Sequence, residues 1–284
     1  MPDLRPRPDA DGNWPAPAKL NLMLRVLGRR ADGYHFLQTV FQFIDRADRL
    51  HFTLRGDRRI LRARGAAGVT PDQDLVVRAA EALRAETGCA AGVEIAVDKV
   101  LPMGGGLGGG SSDAATTLHA LNQLWELGLD TDTLARIGLS LGADVPVFVR
   151  GQAAWAEGVG EDMVPVSLPE PWFVVLVPPV AVSTAAVFND TELTRDSLPI
   201  TMARFAAGDQ ANDCLPVVRR CYPAVDAAYE WLAAAGAAPR LTGTGACVFA
   251  SFEDEAAARE VLARAPMHFS AFVARGCNRS PLFG

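Results

Sequence analysis

The chain has 284 residues, 49% hydrophobic and 21% charged, enough to bury a sizeable core in about two domains of ~100–200 residues each. A formal charge of −6 argues against a nucleic-acid partner or an anionic membrane surface, so an anionic ligand has to be held by local geometry. Five scattered cysteines without a CxxC pair, and four histidines far apart, give no zinc spacing and fit a reduced, cytoplasmic protein.

Residues 1–15 are charged and proline-rich, lack the apolar core of a signal peptide, and read as a disordered lead-in. Ala18 to Arg29 then alternates as a half-buried strand, with Leu20, Leu22, Leu24 and Val26 on one face. Lys19, Asn21, Met23 and Arg25 fall on the other face, which this stretch alone describes as solvated. Asp32-Gly33 marks a turn ahead of Tyr34-His35. Two strands follow, Thr39–Ile44 and Arg49–Leu54. Asp72 or Asp74 caps a helix bearing Leu75, Val76, Ala79 and Leu83 that ends at Gly88, and Val93, Ile95 and Val97 alternate in another strand.

That strand delivers the chain to Leu101-Pro102-Met103-Gly104-Gly105-Gly106-Leu107-Gly108-Gly109-Gly110-Ser111-Ser112-Asp113. Six glycines before a helix let another molecule approach backbone N–H groups closely, and the positive end of the helix dipole attracts an anion. The stretch reads as a phosphate cradle. Ser111 or Ser112 is the expected N-cap, with Ala114, Leu118, Leu121 and Trp125 as the buried stripe and Gly128 as the stop. A second helix is expected from Thr131 to Leu141. Ala143 to Val149 reads as a loop entering a strand, with Gln152–Glu157 as its hairpin partner.

A fresh unit begins near Pro169. Trp172–Val177 reads as a buried strand, and the apolar run to Val182 is broken by Pro178-Pro179, too short to span a membrane. Helices are expected over Thr201–Ala207, Asp213–Cys221, Ala224–Ala234 and Glu253–Arg264. Arg240–Phe252 reads as strand–turn–strand around Thr242-Gly243-Thr244-Gly245, and Ser270–Arg275 as a last strand. Segregated strands and helices point to an α+β fold.

Gly104-x-Gly106-x-x-Gly109 invites a dinucleotide-binding reading, but the acidic residue due about 20 residues on falls at Leu129-Asp130, between helices rather than after a strand. A Walker A loop fails because no Gly-Lys-Ser/Thr follows, and protein-kinase signatures are absent. Phosphoryl transfer needs a cation near the transferred group and a carboxylate near the attacking hydroxyl. Lys19 is a candidate cation. Asp144, in the Gly142-Ala143-Asp144-Val145-Pro146 turn, is a candidate carboxylate, although turn chemistry alone also explains it.

Pro102-x-x-x-Gly106-Leu107-Gly108 followed by glycines and serines resembles the nucleotide-binding box of the GHMP kinases. Pro15-Ala16-Pro17-Ala18-Lys19-Leu20-Asn21-Leu22 resembles the first motif of that family, and Leu241-Thr242-Gly243-Thr244-Gly245-Ala246-Cys247-Val248-Phe249 its third. Asp32-Gly33-Tyr34-His35, the doubled glycine before Ser111-Ser112, and Gly142 to Phe148 resemble the branch acting on cytidine-diphosphate-linked methylerythritol in non-mevalonate isoprenoid synthesis. A sister enzyme acting on mevalonate or homoserine is the alternative.

The resemblance implies an N-terminal ribosomal-protein-like α/β domain over residues 16–167 and a C-terminal ferredoxin-like domain over 168–284. It implies ATP with Mg²⁺ as cofactor, Lys19 and Asp144 as the catalytic pair, and Pro102 to Ser112 around the ATP phosphates. It also implies Asn21 beside the reacting end and Tyr34, His35 and Phe188 about the cytosine. Gly243, Thr244 and Gly245 would close over the substrate phosphates. No metal ligand and no oligomeric state is implied.

Overall fold

The computed structural model describes residues 5–31 and 33–284; Asp32 of the expected turn, and the first four residues of the lead-in, lie outside them. The alternating run forms β1 (Trp14–Arg29), which pairs antiparallel with β2 (His35–Arg55) from Trp14↔Leu50 to Arg29↔His35. The two strands expected over 39–54 are one, because Ala47 and Asp48 continue the pairing opposite Pro17 and Ala16. Register shifts at Pro17/Lys19 and Asn21/Met23 break the strict alternation, so Leu22 and Met23 enter the same apolar cluster. Lys19 and Asn21 do not face solvent, being 2% and 4% exposed. The glycine stretch and the C-terminal half cover them: the Lys19 N–H donates to Leu107 O (3.0 Å) and the Asn21 N–H to Thr242 Oγ1 (3.0 Å).

β3 (Ile60–Arg64) is a strand that the alternation does not reveal. α1 (Leu75–Thr87) is capped by Asp74, whose side chain accepts from the Val76 N–H, and stops at Gly88 in the left-handed region. β4 (Gly92–Asp98) lies parallel to β3 and antiparallel to β2. α2 (Gly109–Leu124) and α3 (Thr131–Leu141) follow as expected in length.

The next element departs from expectation. Val145 to Arg150 is a helix, α4, not a strand. Its residues from Val145 to Val149 are all buried, and a short all-apolar run has no periodicity to tell helix from strand. Pro146 near the helix start and Gly151 past its end are the terminal signals. β5 (Ala154–Glu157) consequently pairs with β2 and with β6 (Asp162–Pro165) rather than with residues 143–149.

The C-terminal half contains β7 (Trp172–Val177), α5 (Thr184–Asn189), α6 (Met202–Ala206), α7 (Leu215–Cys221) and α8 (Pro223–Ala234). β8 (Arg240–Leu241), β9 (Val248–Phe252), α9 (Glu255–Ala263) and β10 (Ser270–Cys277) complete it. β10 is antiparallel to β7 and reaches β2 through Gly276↔Ile44 and Cys277↔Phe43. Among the described residues the sheet therefore runs β3-β4-β2-β10-β7-β9-β8, with β1 and β5 also on β2. The fold is two-domain α+β. One apolar cluster joins β2 and β4 to α1–α4, and a second joins β7 and β9 to α7–α9. A third lies between them, with Leu20, Leu101 and Leu107 packed among Phe173, Val175 and Phe249. This shared core fixes the glycine stretch at the junction.

Residues 5–13 are not a free lead-in. The Pro6 carbonyl accepts from Gln123 Nε2 (2.6 Å) and the Arg7 N–H donates to Leu282 O (3.3 Å), contacts more than a hundred residues away that local composition cannot report. Among the described residues no helix is long and apolar enough to cross a membrane.

α2 is locked to α4 by His119. Its Nε2 lies 2.8 Å from Val149 O and must donate, because a carbonyl only accepts, and its ring meets Phe283 edge-on at 5.3 Å. Burial pushes its pKa down to about 4, the Val149 bond opposing. The folded value lies below the unfolded one, so the stabilisation is complete above pH 6.5 and is lost as pH falls through about 4. The protein should therefore lose about 2–3 kcal/mol more stability between pH 7.5 and 4.5 than His119→Gln does, measured by denaturant unfolding.

Candidate active site

The chain leaves β4, turns at Pro102 and enters α2 through Gly108, the actual N-cap, whose φ is 73°. The serines expected to cap the helix lie inside its first turn. Gly108 holds the left-handed conformation that ends the loop and starts the helix at Gly109, and only glycine fits there, since a Cβ would sit 2.7 Å from the Phe148 ring. At Gly106 (φ 75°) a Cβ would fall 2.2 Å from the Thr242 carbonyl. The carbonyls on this side are all engaged: Gly104 O accepts from the Ala246 N–H (3.2 Å), Gly105 O from the Cys247 N–H (3.1 Å) and Gly106 O from Thr242 Oγ1 (3.0 Å). The N–H groups of Gly109, Gly110 and Ser111 open α2, where no preceding turn supplies acceptors and the helix dipole is positive.

Gly106 O also accepts from Lys19 Nζ (3.0 Å). The same ammonium donates to Asn21 Oδ1, stands 3.3 Å from Asp144 Oδ2 and lies over the Phe41 ring at 5.5 Å. Asn21 is held in turn, its Nδ2 donating to Thr39 Oγ1 (2.9 Å). Asp144 ends the turn leading into α4, and its side chain is 38% exposed against 3% for Lys19. The pair therefore presents a carboxylate to the cavity and keeps the cation behind it.

The cavity measures about 600 Å³. Pro102 to Ser111, Lys19, Asn21 and Asp144 line it together with Thr184, Phe188, Gly243 and Thr244, and Gly243 lies directly against Gly106. Four of the expected site residues do not line it. Ser112 is fully buried and donates its hydroxyl to Pro17 O (2.6 Å), tying α2 to β1 instead of facing a phosphate. Gly245 packs behind the turn, its N–H on Thr242 O (3.0 Å). Tyr34 is 63% exposed on the β1–β2 hairpin. His35 is 6% exposed and stacks on Phe188, ring centroids 4.9 Å apart and 24° between planes.

A charged cluster that sequence reasoning missed flanks the cradle. Lys99 Nζ bonds Asp113 Oδ2 (2.8 Å) and Asp48 Oδ2, and Asp48 Oδ1 accepts the Val100 and Leu101 N–H groups (2.5 and 2.8 Å). Burial works to lower the Lys99 ammonium, yet Asp113 and Asp48 outweigh it and hold it above its ordinary value. Burial pushes the Asp113 carboxyl up, with Lys99 opposing and the like charge of Asp48 adding. Asp48 lies at a strand position, where nothing local marks it. Thr242, inside the second glycine turn, has a positioning role through its bonds to Asn21 and Gly106. Burial pushes the neighbouring Cys247 thiol up to about 12, which suits packing and not nucleophilic chemistry. Among the described residues no group of three His, Cys, Asp or Glu side chains surrounds a metal position.

The family model for the GHMP kinases N terminal domain matches residues 74–152 and that for the GHMP kinases C terminal matches residues 195–271. A 4-diphosphocytidyl-2-C-methyl-D-erythritol kinase from Pseudomonas paraeruginosa is 58% identical over 268 residues, covering 94% of this chain and 95% of the relative. A crystal structure of 4-(cytidine 5'-diphospho)-2C-methyl-D-erythritol kinase superimposes with a TM-score of 0.81 at 32% identity, covering 93% of this chain and 98% of that one. Homoserine kinase from Cytophaga hutchinsonii, 18% identical with a TM-score of 0.67 over 94% of each chain, shares the fold. With both family models matched in order and relatives this similar over nearly their whole length, the chain belongs to the GHMP kinase family.

Proposed function

We propose that the chain transfers the γ-phosphoryl of ATP to the 2-hydroxyl of 4-diphosphocytidyl-2-C-methyl-D-erythritol, giving the 2-phosphate and ADP, in non-mevalonate isoprenoid precursor synthesis. The observation that carries this reading is the Lys19–Asp144 pair, 3.3 Å apart at the edge of the glycine cradle. A relative 58% identical, named for that substrate, supports the choice of acceptor over mevalonate or homoserine.

The wall from Pro102 to Ser111 takes the ATP phosphates through the N–H groups that open α2 and through the positive helix end. Asp144 accepts or orients the proton of the attacking hydroxyl. Lys19 offsets negative charge on that oxygen, while Asn21 and Gly106 O hold its ammonium in place beside Asp144. Gly243 and Thr244, the latter 2.9 Å from Thr184 by their hydroxyls, close over the substrate diphosphate. His35, Phe188 and Tyr34 make the base site.

Mg²⁺ in phosphoryl-transfer sites keeps several waters and is held mainly by substrate phosphates with few protein oxygens. The donor set fits an ion arriving with ATP: the Ser111 hydroxyl lies near the 142–144 turn, where a Gly142 Cβ would be 3.9 Å from it. When bound, the ion neutralises the phosphate oxygens. The substrate is a small molecule, the net charge of −6 disfavours a nucleic-acid or anionic-membrane partner, and the five free cysteines fit a reducing compartment such as the cytoplasm.

Asp144→Asn should lower kcat by ~10²–10⁴-fold while leaving ATP affinity nearly intact; turnover near the parent level would remove the carboxylate from the mechanism. In a coupled ADP-release assay the cytidyl substrate should be consumed and mevalonate and homoserine should not. Tyr34→Ala should raise KM for the cytidyl substrate and leave KM for ATP alone, and an unchanged cytidyl KM would exclude base stacking.

A further inference from the structure

One side chain outside every expected motif holds the base wall together. Arg195, in the segment between α5 and α6, donates Nη2 to Phe188 O (2.9 Å) and Asp190 O (2.6 Å) and Nη1 to Leu193 O (3.1 Å). Its Nε donates to His35 Nε2 at 3.3 Å. The guanidinium therefore grips the backbone beneath one ring of the stacked pair and the nitrogen of the other.

This contact decides the chemistry of the imidazole. Arginine only donates hydrogen bonds, so Nε2 of His35 has to accept, and its proton has to sit on Nδ1. We propose that Arg195 is a positioning residue for the base site, fixing His35 as the neutral Nδ1–H tautomer and setting its ring against Phe188. This rests on the cytidyl reading of the cavity given above. The imidazole is then a donor only through Nδ1, which suits a pyrimidine offering an unprotonated ring nitrogen or a carbonyl oxygen.

The surroundings act in the same direction. Burial first, then the positive charges of Arg195 and of Arg29 opposite on β1, hold the His35 pKa below its usual 6.5. Among the described residues, those two guanidiniums are the charged groups that act on the ring, from the loop side and from the strand side. Neutral His35 is thus retained as pH falls through 6.5, and charging it breaks the bond from Arg195, because imidazolium has no acceptor.

The test is long-range ¹H–¹⁵N correlation NMR on the full chain with ¹⁵N-histidine, the His35 signals assigned by their loss in His35→Gln, together with steady-state kinetics. The parent should show the Nδ1–H pattern at pH 7 and titrate below 6.5. Arg195→Gln should give a mixture with the Nε2–H form and titrate closer to 6.5. It should also raise cytidyl KM roughly 3–10-fold with kcat little changed, and move the acid limb of kcat/KM to higher pH. Arg195→Lys, which restores a charge and one donor, should return the signals toward those of the parent even if Arg195→Gln loosens the segment. A parent spectrum of the Nε2–H type, or parent-like spectra in both variants, would overturn the assignment. The spectra need no substrate, so failure of the cytidyl substrate in the parent would strike the proposed function and leave the tautomer result standing.

Discussion

The carbonyl of Gly106 is where the two halves of the molecule and the reacting groups meet. It accepts Lys19 Nζ from β1 and Thr242 Oγ1 from the C-terminal half, both at 3.0 Å. Each bond contributes only about 1 kcal/mol net, but leaving such a buried donor or acceptor unpaired costs about 1–3 kcal/mol. The arrangement is therefore all-or-none: moving one partner strands the others. Glycine is required there, since a Cβ would overlap the Thr242 carbonyl and the backbone holds φ 75°. The cradle thus cannot shift without moving the ammonium that stands beside Asp144.

A chain of net charge −6 that is to hold an anionic nucleotide needs local positive potential, and the fold provides it in two forms. Fixed dipoles come from the start of α2, whose glycine N–H groups face the cavity without side chains in the way. The second form is directional: Lys19, paired with Asp144, and Lys99, paired with Asp48 and Asp113, add fixed N–H donors at the cavity rather than net positive charge. Pairing lowers the desolvation cost of a buried cation and fixes its position, so little reorganisation remains when charge develops. Asp48 couples the second pair to the cradle mechanically as well, because its other oxygen holds the Val100 and Leu101 N–H groups where the glycine stretch begins.

What could be read in the sequence divides by range. α1 was legible because its cap, stripe and left-handed stop are all local, and the α+β class followed from segregated patterns. The glycine stretch, Lys19, Asn21 and Asp144 were legible as motifs, and they line one cavity. Their burial was not, since Lys19 is covered by residues 87 and more positions away. α4 reads as a strand in the sequence because Val145 to Val149 are all apolar, three of them β-branched, and burial on every side erases periodicity. Ser112 was placed at the phosphates by its neighbours in the motif, yet one residue along a helix turns a side chain by about 100°, carrying it from the cavity to Pro17. Asp48, Lys99 and Arg195 gave no signal at all. Each works through partners distant in sequence or through backbone carbonyls, which composition does not record.

The two ends of the cavity follow different physical rules. At the glycine end the lining offers backbone amides and paired charges, and one of those pairs is sensitive to pH, because burial pushes the Asp113 carboxyl well above the usual carboxylate range beside Lys99. At the other end the stacked His35 and Phe188 rings are held by Arg195, which donates to His35 Nε2 and to the Phe188 carbonyl, and on the proposed reading this pair meets the base. Homoserine kinase shares the fold at 18% identity, so the scaffold alone does not determine the acceptor. On the proposed reading, acceptor choice resides in side chains such as these, carried at the β1–β2 hairpin, on α5 and on the segment after it, away from the Gly106 junction.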